Sequence, residues 1–255
     1  MFGLSREAVR AGDTDTDDSE EVFVMRETAD RVRVPRLILA PFVITLAVTL
    51  LRLFGELQRW STQWFNSSSG GVLPQGVSWI VGIVWLPVPF GIYFALRLAR
   101  AGRAPRNAGR AVALAFAGLL LLLGFFLLVL PRLSAPDWRP TLLLIWSAGV
   151  AAGALQFLGW RELARTLAAY GLAARAVVVL IMLFAMLGHW GTHYDYGNEA
   201  SVADFTLATK FWWLAFFPQL VFWVGFTVTL GSLSGSVAYA LARRRPARQA
   251  AASVS

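Results

Sequence analysis

Twenty consecutive apolar residues, AVALAFAGLLLLLGFFLLVL from Ala111 to Leu130, follow directly on five arginines: Arg97, Arg100, Arg103, Arg106 and Arg110. At ~1.5 Å rise per residue, such a run covers the ~30 Å hydrocarbon layer of a bilayer as one helix. An arginine cluster beside a span stays on the cytoplasmic side. No soluble core of ordinary size accommodates this segment together with the similar ones elsewhere in the chain. The 57% hydrophobic content and mean hydropathy of +0.58 agree with a membrane class.

Six spans are expected, giving an all-α polytopic helical bundle. They run at about 37–57, 77–98, 111–130, 141–160, 172–190 and 218–241. An acidic tail and juxtamembrane segment, 1–36, precede them, and a basic tail, 242–255, follows. Segment 205–217, ending KFWWLAFF, is apolar too. Joined to the sixth span it is too long for one crossing, so a break is expected at Pro218. The piece before it then reads as an interfacial helix. Just before the first span either a second interfacial helix, in which Val22, Phe23 and Met25 touch lipid and Arg26, Arg31, Arg33 and Arg36 reach headgroups, or a plain juxtamembrane stop is expected.

Charge sets the orientation. With the N-terminus, the 97–110 and 160–175 loops and the C-terminus inside, 18 of the 23 basic residues lie on the cytoplasmic side. Trp60, Trp64, Trp79, Trp138, Trp190, Trp212 and Trp213 then fall at the outer ends of spans, where amphipathic indoles favour the water boundary. Both termini are expected in the cytoplasm of a bacterial inner membrane. The first span serves as an uncleaved anchor, because the opening residues lack an apolar signal region. The formal charge of +8 is nearly all arginine flanking apolar runs. It points to anionic lipid headgroups rather than to nucleic acid.

The absence of cysteine excludes disulfides, thiolate catalysis and cysteine-held metal or haem. Asp13, Asp15 and Asp17 have calcium-loop spacing, but Asp18 and Val24 stand where such a loop needs Gly and Glu. The Asn66-Ser67-Ser68 sequon carries little meaning in a bacterial chain. No phosphate-binding loop, nucleophile elbow, zincin helix or dinucleotide fingerprint is present, and no cofactor is expected.

Several features could carry function. His189 and His193, the only histidines, stand four apart with Asp195 close behind. A helix continuing through them would offer an outer-face metal site, although Gly191 weakens that helix. Trp85, Pro87, Pro89 and Gly91 mark a broken second span, a device that lines substrate sites in transporters. Gly149 with Gly153, and Gly231 with Gly235, form small-residue steps for helix packing, within the bundle or between copies. Gln156 and Gln219 are polar positions inside spans. Arg175 falls at the inner end of the fifth span, and Arg52 with Glu56 towards the outer end of the first.

With no mid-membrane charge expected, an ion-driven carrier is disfavoured. The chain reads first as a non-catalytic accessory or scaffold membrane protein, working with partner membrane proteins or as a homo-oligomer. The alternative is a permease-type subunit, such as that of an ATP-driven exporter with its ATPase partner. A third reading is an outer-face metal enzyme built on His189, His193 and Asp195.

Overall fold

Apolar runs with few breakers give helices throughout, and no strand occurs among the described residues. The computed structural model describes residues 33–67, 77–133, 138–196 and 203–252, with side chains described as far as residue 243. The calcium-like aspartates, most of the juxtamembrane segment and Ser68 of the sequon lie outside these residues. Six helices follow one another: α1 (Val34–Leu57), α2 (Pro87–Arg100), α3 (Ala108–Arg132), α4 (Trp138–Gly159), α5 (Arg161–Gly188) and α6 (from Leu207). All but α2 are long and apolar enough to cross a bilayer. Their leucines, valines and phenylalanines point outwards in large numbers, Leu39, Leu120, Leu127, Leu158, Leu180 and Phe184 among them. In water such a surface would be a large apolar patch; in lipid it is the solvent-facing one.

The expected second span is not a full-length helix. Residues 77–86 are turns, and α2 begins at Pro87 with only 14 residues, ~21 Å of helix. A proline at the first helical position needs no N–H donor, so Pro87 opens the helix instead of kinking one. The turns before it close on themselves, Gly82 N–H donating to the Trp79 carbonyl and the Trp85 indole to the Ile80 carbonyl.

The expected break at Pro218 is also absent. α6 runs without interruption from Leu207 to Arg243, 37 residues. Two stretches of it, Lys210–Phe216 and Pro218–Phe222, are wound as π-helix. The wider turn changes which carbonyl faces the proline ring. The Leu214 carbonyl, four residues before Pro218, takes a hydrogen bond from the Tyr196 hydroxyl at 3.2 Å. The aromatic segment is therefore the first part of the last helix and not a separate interfacial one. Its rings pack on α4, with Trp213 stacked on Trp146 at 5.3 Å and edge-on to Trp138 at 5.2 Å.

α6 is the hub. It packs against α2, α3, α4 and α5, whereas α1 leans chiefly on α5. Two glycine crossings bring it close. Gly225 lies against the Gly149–Gly153 step of α4, a Cβ on Gly153 meeting the Gly225 Cα at 2.9 Å. At the second crossing, a Cβ on Gly91 of α2 would overlap the Gly231 carbonyl, and one on Gly235 would overlap the Gly91 carbonyl. Both small-residue steps are thus occupied within the chain, which leaves them unavailable to a second copy.

One end of the bundle gathers the 101–107 loop, the sharp α4–α5 turn and the C-terminal part of α6. There the Trp160 indole donates to the Arg103 carbonyl at 2.9 Å and its ring meets Tyr239. The other end holds the end of α1 and the loop after α5, where the candidate site lies.

Candidate functional site

Inside α1 the lipid-facing positions are Leu39, Val43, Ile44, Leu50, Leu51 and Phe54, while Thr45, Thr49 and Glu56 are buried. Spacing of three to four residues puts Thr45, Thr49, Arg52 and Glu56 on one face, and that face turns towards α5 and the loop after it. The helix is inside-out: apolar to lipid, polar to protein. The Thr45 hydroxyl pairs with the Tyr170 hydroxyl at 2.7 Å, and Tyr170 is held by edge contacts to Phe90 and Phe94. One turn on, the Thr49 carbonyl accepts from the Tyr194 hydroxyl at 3.4 Å.

Glu56 closes the seam. Its side chain is 0% exposed, accepts from Arg52 Nε at 3.0 Å, and meets His193 Nδ1 at 2.6 Å through Oε1. The backbone N–H of His193 donates to Glu56 Oε2 at 2.9 Å, so the carboxylate is gripped by helix and loop together. The loop reaches it because α5 stops at Gly188. His189 caps the helix in the left-handed conformation, φ 50°, and Trp190 N–H closes back on the Ala185 carbonyl. Asp195 Oδ2 then accepts from Gly191 N–H at 2.8 Å and shapes the turn, while its Oδ1 is buried without a hydrogen-bond partner.

This geometry departs from a shared metal face. The helix ends before either histidine, so His189 is exposed while His193 points to Glu56. Among the described residues no three His, Asp or Glu side chains stand close enough to hold a metal ion, so His189, His193 and Asp195 are not brought together as ligands. Burial holds the His193 pKa below its ordinary value, against the opposing pull of Glu56. Burial also raises the Tyr194 phenol. With Nδ1 tied to Glu56, the other ring nitrogen is the one left for exchange.

Further along α5, on the side turned to α6, sits Arg175. The sequence places it at the inner end of a span, but α5 begins at Arg161, so Arg175 lies midway along a 28-residue helix and is 6% exposed. Arg175 is thus a mid-helix residue rather than one at a helix end. Its Nη1 donates to Gln219 Oε1 at 3.0 Å, and the guanidinium stacks over Trp223 at 4.8 Å. Gln219 belongs to the second π-wound stretch of α6, a geometry that recurs at functional sites. No carboxylate lies within ion-pair distance of Arg175 among the described residues. At the centre of a bilayer a charge costs about 2.5–3.5 kcal/mol on insertion scales. An arginine kept there needs a reason.

Trp85, Pro87, Pro89 and Gly91 do not converge on one pocket. Trp85 and Pro89 are exposed, whereas Pro87 and Gly91 flank Gly231 of α6. Gln156 bonds within α4 and to the Leu114 carbonyl of α3. The signal for the seam was present as the threonine–arginine–glutamate spacing of α1, but the two residues that complete it, Tyr194 and Arg175, come from elements whose bounds the hydropathy misplaces. Comparison with protein-family models, curated proteins and solved structures finds no match for this chain.

Proposed function

We propose that this multi-pass protein is a permease-type subunit that passes a polar solute along the seam between α1 and α5. The observation carrying this reading is the buried run Glu56, Thr49, Thr45 and Tyr170 between α1 and α5, with the buried Arg175 on the α6 side of α5, polar side chains placed inside while apolar ones are exposed. A scaffold gains nothing from that arrangement, since buried polar and charged groups cost stability that leucines would supply. The loop carrying His193 and Asp195 lies over one end of the run.

In this reading the protein sits in a bacterial inner membrane with both termini in the cytoplasm. The short α2 and the turns before it make the second of six traverses. Grouping of the 101–107 loop, the α4–α5 turn and the end of α6 at one end supports this orientation by the arginine bias. A cleft of about 680 Å³ there, lined by Arg106, Arg243, Val112, Ala113 and Ala240, suits an anionic lipid headgroup and the start of its chains.

The test is transport in proteoliposomes, read as solute-induced current across a panel of small carboxylates, inorganic phosphate and amino acids. The expected result is a saturable current for one class, abolished by Glu56→Gln and by Thr49→Val. Currents no larger than those of protein-free liposomes for every class overturn the proposal.

A further inference from the structure

We infer that Arg175, with Gln219 beside it, binds the carboxylate of a small acid with an apolar body. The inference rests on the reading of the seam as a solute path and names the class of solute.

A guanidinium carries five N–H donors in a planar fork suited to a carboxylate. Among the described residues Arg175 makes one hydrogen bond, to the neutral amide oxygen of Gln219. The buried carboxylates of this region are committed elsewhere: Glu56 to Arg52 and His193, and Asp195 Oδ2 to the Gly191 N–H. The ionisable groups that face Arg175 are the phenols of Tyr170 and Tyr194, which carry no charge at neutral pH. A charge held in the middle of a span without a counter-charge calls for one from outside the chain.

The surroundings narrow the class. Trp223 closes one face of the guanidinium, and the Met182 sulfur lies 3.7 Å from Gln219 Nε2. Val178 and Phe222 are buried nearby in sequence on the same two helices. Aromatic and aliphatic walls around one anion-seeking fork suit a monoanion with an apolar body rather than a strongly hydrated dianion. Depth separates a solute from a lipid headgroup. Arg175 stands ~20 Å of helix from either end of α5, whereas headgroups sit at the membrane boundary.

The experiment uses the full chain in neutral phosphatidylcholine nanodiscs, with octanoate, inorganic phosphate and added phosphatidylglycerol as separate probes. Octanoate at hundredfold excess over its Kd is expected to raise the melting temperature by about 5 °C or more. Arg175→Gln abolishes that shift, and without octanoate it melts at or above the wild-type temperature, because an uncompensated charge has gone. A purely structural arginine gives the opposite, a lower melting temperature in Arg175→Gln. Gln219→Leu, which keeps the arginine, weakens octanoate binding by roughly tenfold. The inference is overturned if octanoate leaves the wild type unmoved, if its shift survives in Arg175→Gln, or if only phosphatidylglycerol produces an Arg175-dependent shift. Binding without any flux refutes the permease reading and leaves the anion site standing; flux without Arg175-dependent binding does the reverse.

Discussion

Replacing Gly91 by alanine tests the crossing on which the bundle's geometry depends. A Cβ on Gly91 meets the Gly231 Cα at 2.6 Å and overlaps its carbonyl, where ordinary contact begins near 3.4 Å. Both obstacles are backbone, so no side chain can rotate away. α2 and α6 must part by ~1 Å, and the dispersion contacts along the crossing weaken with them. Overpacking of this kind costs about 1–3 kcal/mol. For a chain of this size that lowers the melting temperature by roughly 2–12 °C. Gly124→Ala supplies the control, because a Cβ there meets nothing within 4 Å. Alanine's better helix propensity should leave it unchanged or raise stability by up to ~1 kcal/mol. The assay is intrinsic-fluorescence melting of both variants and wild type in one detergent at one scan rate. If Gly91→Ala melts within a degree of Gly124→Ala, α2 does not cross α6 at these glycines.

Three further outcomes are expected. His193 is held below its ordinary value of 6.5 by burial, so the unfolded chain binds more protons than the folded one as pH falls through that value. Stability is therefore full above about pH 6.5 and is lost on acidification below it; melting from pH 8 to pH 5 should show a fall that His193→Gln flattens. Tyr196→Phe removes the donor to the Leu214 carbonyl beside Pro218 and should cost about 1–3 kcal/mol in the same melting assay, a loss that shrinks if Pro218→Ala is introduced with it. Because the chain has no cysteine, single cysteines report its orientation cleanly: Gln58→Cys should react with an impermeant maleimide on intact cells, and Ala104→Cys only after permeabilisation. The reverse pattern overturns the assignment of sides.

The helices were legible in the sequence wherever hydropathy and helix coincide. The run after Arg110 became α3, and the glycine steps marked where α6 meets its neighbours. Legibility failed where helix and apolar run have different lengths. α5 extends back to Arg161 through RELARTLAAYGL, whose charges read as a loop although Glu162 and Arg165 simply pair at 3.0 Å on an exposed helical face. That error moved Arg175 from mid-helix to a boundary and hid the charge in the seam. Pro218 was read by the ordinary rule for proline, and the π-wound turns around it lie outside what spacing alone conveys. Pro87 failed in the other sense, starting a helix rather than bending one. At the candidate site, Glu56 was seen only as a partner of Arg52. Its second partner, His193, is 137 residues away, and no local pattern joins them.

Since α6 follows α2, α3, α4 and α5 along the chain and touches all four, those helices are synthesised before the strut that ties them together. Without it, the backbone at Gly91 and Gly149 lacks the Gly231 and Phe222 contacts that cover it in the fold. A chain truncated before Leu207 therefore keeps its earlier helices but loses the element that joins four of them.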